Sequence, residues 1–127
     1  MIRAANSKAS PLARKRSDET KLQMAVVQHL RLRGAPGLVF FHVPNGGARS
    51  KAEGAIFKAM GVRAGVSDLI LLHSNRFFAL ELKAIGGRAS PEQRDFISEA
   101  DAAGAHTALV EGLDAALATL KSWGLLR

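Results

Sequence analysis

Two carboxylates and an ammonium stand inside apolar runs in the stretch GVSDLILLHSNRFFALELKA, residues 65 to 84. They are Asp68, Glu81 and Lys83. The stretch reads as two strands around a turn near Ser74-Asn75. With the turn centred there, Leu72 faces Phe77 and Asp68 faces Glu81 across the ladder. Like charges facing each other on a sheet are destabilising by up to roughly 1 kcal/mol, and more when desolvated. Such a pair needs a compensating cation. Lys83 is two residues from Glu81 and projects from the same face, but one ammonium cannot satisfy two carboxylates in several directions. A hard divalent cation can, since Mg²⁺ favours carboxylate oxygens and retains waters. The backbone carbonyl of Leu82 is a candidate further ligand.

The chemistry of that set is metal-assisted hydrolysis. A cation on Asp68 and Glu81 polarises a phosphodiester and lowers the pKa of bound water. Lys83 is placed to orient or deprotonate that water, or to stabilise charge at phosphorus. Glu19, one turn before Leu22 on a helical apolar stripe, is a candidate to join from the other side. Gln93, in the first turn of a later helix, is a candidate to hold a water or a phosphate oxygen. Each residue has a plainer role available. Asp68 can cap a turn after Gly65-Val66-Ser67. Glu81 and Lys83 can lie on a solvated strand face. Glu19 can complement a helix dipole, and Gln93 can be the capping-box partner of Ser90. The spacing D-x12-E-x-K across a hairpin is more specific than any one of them.

Basic residues surround the set. Asn45, Gly46 and Arg49 lie in a loop able to offer backbone N–H groups and a guanidinium to phosphate. Arg49, Lys51, Lys58 and Arg63 make a modest basic cluster before Asp68. The four histidines show no HxxxH or HExxH spacing, which argues against a histidine metal site. No phosphate-binding P-loop, dinucleotide fingerprint or GxSxG is present, so no small-molecule cofactor is expected.

The elements that must position these residues are legible in outline. A helix is expected from the N-cap Ser17 to Gly34, with Leu22, Val26 and Leu30 as its apolar stripe. Residues 38–43, LVFFHV, read as a strand stopped by Pro44 to Gly47. KAEGAIFKAMG is a short helix, and DLILL and FFALELKA are the paired strands. Ser90-Pro91-Glu92-Gln93 opens a helix with capping-box spacing and Pro at its first position. HTALVE is a fourth strand and LDAALATLKSW a final helix. The order αβ(α)ββαβα, with a parallel crossover into the fourth strand, implies an α/β mixed sheet flanked by helices.

The chain has 127 residues, the size of one domain, and is 47% apolar. Its apolar runs are far short of the ~20 residues of a membrane helix, and the N-terminus has no apolar signal core. No cysteine is present, which excludes disulfides and thiolate chemistry and fits a reducing compartment. Net charge is +7, and residues 1–16 hold five basic residues and no acid. They are expected to be a disordered basic tail before a folded body at 17–127, adding affinity for a polyanion.

These residues carry a family resemblance. Glu19 with Gln23, Pro44-Asn45-Gly46-Gly47 with Arg49, Met60-Gly61, Gly65-Val66-Ser67-Asp68, Glu81-Leu82-Lys83, and Ser90 with Gln93 resemble the VRR-NUC (virus-type replication-repair nuclease) domain of the PD-(D/E)xK superfamily. They run from about residue 19 to 112. The resemblance implies a restriction-endonuclease-like fold and Mg²⁺- or Mn²⁺-dependent cleavage of DNA. It implies a catalytic core of Asp68, Glu81 and Lys83, with Glu19 an added acidic or metal-site residue and Gln93 auxiliary. Ser67 stands where the superfamily name has proline. The resemblance extends to Holliday junction resolvases, which implies branched DNA as substrate, a homodimer, and a cytoplasmic protein of viral or bacterial type. A flap or end-processing nuclease of a replication-repair complex is the alternative within the class. A catalytically silent DNA-binding module is the alternative outside it.

Overall fold

A computed structural model describes residues 10–44 and 50–127. The elements in chain order are α1 (Pro11–Arg33), β1 (Val39–His42), α2 (Lys51–Ala59), β2 (Leu69–His73), β3 (Arg76–Lys83), α3 (Pro91–Ala102), β4 (His106–Glu111) and α4 (Gly112–Ser122). This is the expected order.

The start of α1 differs from expectation. Ser10, not Ser17, is the N-cap: its hydroxyl accepts from the Ala13 N–H at 3.1 Å, and Pro11 fills the first helical position. Proline there has a pre-set φ and lacks an N–H that would go unused. Ser10-Pro11 is the same signature as Ser90-Pro91. Residues 11–16 are therefore an exposed helical extension rather than a disordered tail. Residues 1–9 lie outside the described residues.

The four strands form one sheet in the order β1-β2-β3-β4. β1 and β3 flank β2 antiparallel, and β4 lies parallel to β3. The hairpin register is the expected one, with Leu72 opposite Phe77 and Leu69 opposite Leu80. Ser74 and Asn75 both have positive φ, 49° and 66°. Two left-handed residues in a two-residue turn match the twist of the flanking strands and so pin this register.

Register decides which face each side chain meets. Leu69, Leu71, Phe78, Leu80 and Leu82 pack with Leu22, Val26 and Leu30 of α1 and Ala116 and Leu120 of α4 into the main core. The alternate residues, Ile70, Ala79, Glu81 and Lys83, take the opposite face. There α3 arrives, with Gln93 bonded to Glu81. All residues from Phe78 to Lys83 are buried, including Glu81 at 2% and Lys83 at 6% exposure. A central strand covered on both faces needs no alternation of polarity, so the polar residues at 81 and 83 are buried rather than solvated. α2 buries none of its residues.

Candidate active site

Asp68 immediately precedes β2, and three bonds fix it. Its carbonyl accepts from the Val43 N–H at 3.3 Å and from His42 Nδ1 at 2.7 Å. Its carboxylate Oδ2 accepts from the Leu82 N–H at 2.8 Å. The last bond ties Asp68 to the strand that carries Glu81 and Lys83. It also gives the Leu82 main chain a part beside the expected carbonyl: its N–H positions Asp68.

Glu81 is the electrostatic centre. Its Oε2 accepts from Gln93 Nε2 at 3.0 Å and lies 3.3 Å from Lys83 Nζ. Its Oε1 is buried with no hydrogen-bond partner. Burial pushes the carboxyl up to about 8 from an ordinary 4.5, the Asp68 carboxylate adds to the rise, and the Lys83 ammonium opposes it. A buried carboxylate oxygen without a donor is costly, and is stabilised by a proton or a cation.

Gln93 reconciles two roles that looked like alternatives in the sequence. Its Oε1 accepts from the Ser90 N–H at 2.8 Å, and its own N–H donates to the Ser90 hydroxyl at 3.2 Å, which completes a capping box. Since the Ser90 N–H requires the amide oxygen, the amide NH₂ is left to face Glu81. The cap therefore sets the polarity of the contact with the site.

Gly65 allows this approach. Its φ is +83°, and a Cβ there would fall 2.3 Å from the Glu92 carbonyl oxygen and 2.7 Å from the Gln93 nitrogen. Only a residue without a side chain lets the loop before Asp68 touch the first turn of α3.

The other expected site residues fare differently. Glu19 does not join the carboxylates. Among the described residues no group of three or more His, Cys, Asp or Glu gathers in a way that could hold a metal. The reason lies in the layers: α1 packs through Leu22 onto the Leu80–Leu82 face, and Glu81 points to the other. Arg63 is already paired, with its two terminal nitrogens on Glu99 at 3.3 and 2.6 Å and its guanidinium over Phe96. The guanidinium braces the segment after α2 against α3. Lys58 is exposed in the last turn of α2. Asn45, Gly46 and Arg49 lie outside the described residues. His42 was discounted on histidine spacing, yet it holds the Asp68 main chain. Only strand pairing brings the two together, and no local motif signals it.

A hard divalent cation suits this donor set. Asp68 and Glu81 would hold it through oxygens, and the unpartnered Glu81 Oε1 is the observation that fits. With two protein carboxylates, the remaining positions would fall to waters and substrate oxygens, as Mg²⁺ prefers.

The family model of the VRR-NUC domain matches residues 17–114. The chain belongs to the VRR-NUC family. A solved structure described as a VRR_NUC domain protein superposes with a TM-score of 0.70 at 24% identity, covering 84% of this chain and 87% of that one. It shares the fold: a mixed four-stranded sheet flanked by helices, of the nuclease-like type. No curated protein matches the chain. Membership makes this a nuclease-type domain, with nucleic acid as the substrate class of the family. No helix among the described residues is long and apolar enough to cross a membrane.

Proposed function

We propose that the protein is a Mg²⁺- or Mn²⁺-dependent endonuclease that hydrolyses phosphodiesters in branched DNA, acting as a homodimer in the manner of junction resolvases. The observation that carries this reading is the Glu81 carboxylate, buried beside Asp68 with one oxygen unpartnered. A VRR-NUC domain that had lost its chemistry would have no reason to keep that cost.

Bound at Asp68 and Glu81, the cation would polarise the phosphodiester and lower the pKa of an attacking water. The chain's own residues do the rest. The Leu82 N–H and the Asp68 main-chain bonds hold one carboxylate in place. Gln93 orients the other through Oε2, which leaves Oε1 turned away from the amide. Lys83, buried and 3.3 Å from Glu81, keeps its ammonium near the site in a low-dielectric setting. There it favours the negative charge that builds on the phosphoryl oxygens in the transition state. Two copies related by a two-fold axis would present two such centres to opposed strands.

The test is a cleavage panel of four-way junction, flap, splayed and linear duplex DNA with Mg²⁺, Mn²⁺ or EDTA, alongside light scattering of the free protein and of the protein on each DNA. Metal-dependent cutting of the branched forms supports the reading. Binding without cutting in either metal points to the silent module instead. Cutting by a species that stays monomeric on a junction removes the resolvase model and leaves flap or end processing.

A further inference from the structure

The first buried residue of α1 is Leu22, yet the helix starts at Pro11. Residues 11–21 span about 16 Å at the usual helical rise. All of them but the half-buried Glu19 are exposed. The Ser10 cap and Pro11 fix where this stretch begins. Arg14, Lys15 and Arg16 stand together in it, with no acid among residues 11–16; Asp18 and Glu19 lie nearer the body. Lys15 is seven residues, two turns, before Leu22, so it continues the stripe that faces the sheet.

The direction of α1 puts this stretch past the active-site end of the sheet. β1 starts at Val39, opposite Leu72 and close to the Ser74-Asn75 turn, and ends at His42, opposite Leu69 and next to Asp68. The chain reverses over residues 34–38 between α1 and β1. The C-terminus of α1 therefore lies at the turn end and its N-terminal half at the Asp68 end. Lys21 confirms this by lining one cleft with His42 and Leu69. Lys15 and Arg16 stand about 10 Å further along the helix than Leu22, beyond the ends of the strands. They belong to the α1 layer, whereas Glu81 points to the α3 side. The end of the sheet lies between them.

We propose that the projecting part of α1 holds a second duplex arm of the DNA whose first arm lies on the Asp68–Glu81 carboxylates, so that the end of the sheet stands between two diverging arms. Lys15 and Arg16 contact the phosphates of that second arm. A flexible basic tail reaches phosphates wherever they are and adds affinity for any DNA. A helix anchored by its buried half holds its charges in one place, and only DNA with phosphates there gains from them. Duplex DNA is stiff, so a linear molecule on the carboxylates does not turn round the sheet end without a bending cost, whereas a branch point supplies two arms that already diverge. The inference rests on the branched-DNA reading and deepens it by naming the element that tells branched from linear duplex.

The experiment measures binding of the full chain to a four-way junction and to a blunt linear duplex in EDTA, where no cutting complicates the signal. Lys15→Gln/Arg16→Gln removes the charges from an intact helix. Ser17→Pro keeps every charge and breaks the helix, because an interior proline loses a hydrogen bond and clashes with the preceding turn. Lys121→Gln, exposed at the end of α4, is the control for net charge. Thermal melts check that each variant folds. The wild type is expected to prefer the junction. The double variant should weaken junction binding about tenfold and reduce its slope of log K against log salt by about 1.8, since each phosphate contact on duplex contributes about 0.9. Ser17→Pro should lose the same junction preference, and neither variant should alter linear binding. Lys121→Gln should match the wild type. A wild type without junction preference, an equal loss on linear duplex, an equal loss in Lys121→Gln, or a Ser17→Pro variant that binds the junction like the wild type overturns the proposal. Because no metal is present, a wild type that selects the junction through these residues but cuts nothing in Mn²⁺ would uphold it while the nuclease reading fell. Cutting of junctions in Mn²⁺ with junction preference untouched by both variants would do the reverse.

Discussion

The Gln93 side-chain amide joins a helix cap to a buried carboxylate: its oxygen accepts from the Ser90 N–H at 2.8 Å, and its nitrogen donates to Glu81 Oε2 at 3.0 Å. One residue thereby links the start of α3 to the centre of the site. Gln93→Ala is expected to lower stability by about 1 kcal/mol, the scale of a cap or a single hydrogen bond. Mn²⁺ affinity should also fall, because Glu81 loses the group that orients it. Urea melts and calorimetric titration read the two effects separately. Unchanged Mn²⁺ affinity alongside the expected loss of stability would reduce Gln93 to a cap.

The metal-free protein should lose stability as pH rises toward 8. Glu81 releases its proton near 4.5 when unfolded and near 8 when folded. Between those values the folded state binds more protons, so stability falls with increasing pH. The contribution is fully present below about 4.5 and lost once the pH passes about 8. Its size is a few kcal/mol, at about 1.4 kcal/mol per pKa unit. Glu81→Gln keeps the shape without the charge, and should flatten the slope and melt above the wild type at pH 8 in EDTA. A wild-type stability that is level from pH 5 to 8 would refute the burial argument. With Mn²⁺ the ion replaces the proton, so binding at pH 7 should release protons and raise the melting temperature. Asp68→Asn should abolish most of that rise.

Lys83→Met preserves the buried stem and removes the ammonium. Loss of positioned acid–base or charge help typically costs ~10²–10⁴ in rate, and cleavage in Mn²⁺ should fall by that order. DNA affinity should be nearly unchanged, because an ammonium that acts on transition-state charge lowers kcat rather than ground-state binding. Cleavage at the wild-type rate would remove Lys83 from the mechanism.

Much of this site was legible in the sequence because a two-residue turn fixes register. Once Ser74-Asn75 is taken as the turn, the facing of Asp68 and Glu81 and the shared face of Lys83 follow from the pleat alone. The crossover through α3 was legible for a related reason, since Ser90-Pro91 and Gln93 are local signals. What failed depended on layers or on distant partners. Glu19 sits on an inward stripe as expected, but that stripe faces the sheet side opposite Glu81, a matter of which face α1 covers. The Arg63–Glu99 pair was not legible because Glu99 is 36 residues away in sequence. The early start of α1 was a local signal overlooked beneath the basic composition of residues 1–16. His42 entered the site only through the pairing of β1 with β2, which places Leu69 opposite it.

Gly65→Ala should damage the site more than its distance from the carboxylates implies. The new Cβ would meet the Glu92 carbonyl oxygen at 2.3 Å and the Gln93 nitrogen at 2.7 Å. Both are backbone atoms in the capped first turn of α3, so no side-chain rotation relieves the contact. The positive φ of +83° adds strain for any L side chain. Either the loop bearing Asp68 or the start of α3 must shift, and each shift lengthens the Gln93–Glu81 bond. A destabilisation of several kcal/mol is expected, together with weaker Mn²⁺ binding in whatever fraction remains folded. The pathway of the effect is testable by a double-mutant cycle. If Gly65 acts on the site through Gln93, then Gly65→Ala should reduce Mn²⁺ affinity by clearly less in a Gln93→Ala background than in the wild type. Additive losses would show that the glycine and the glutamine serve the metal site independently, and that the contact between loop and helix only supports the fold.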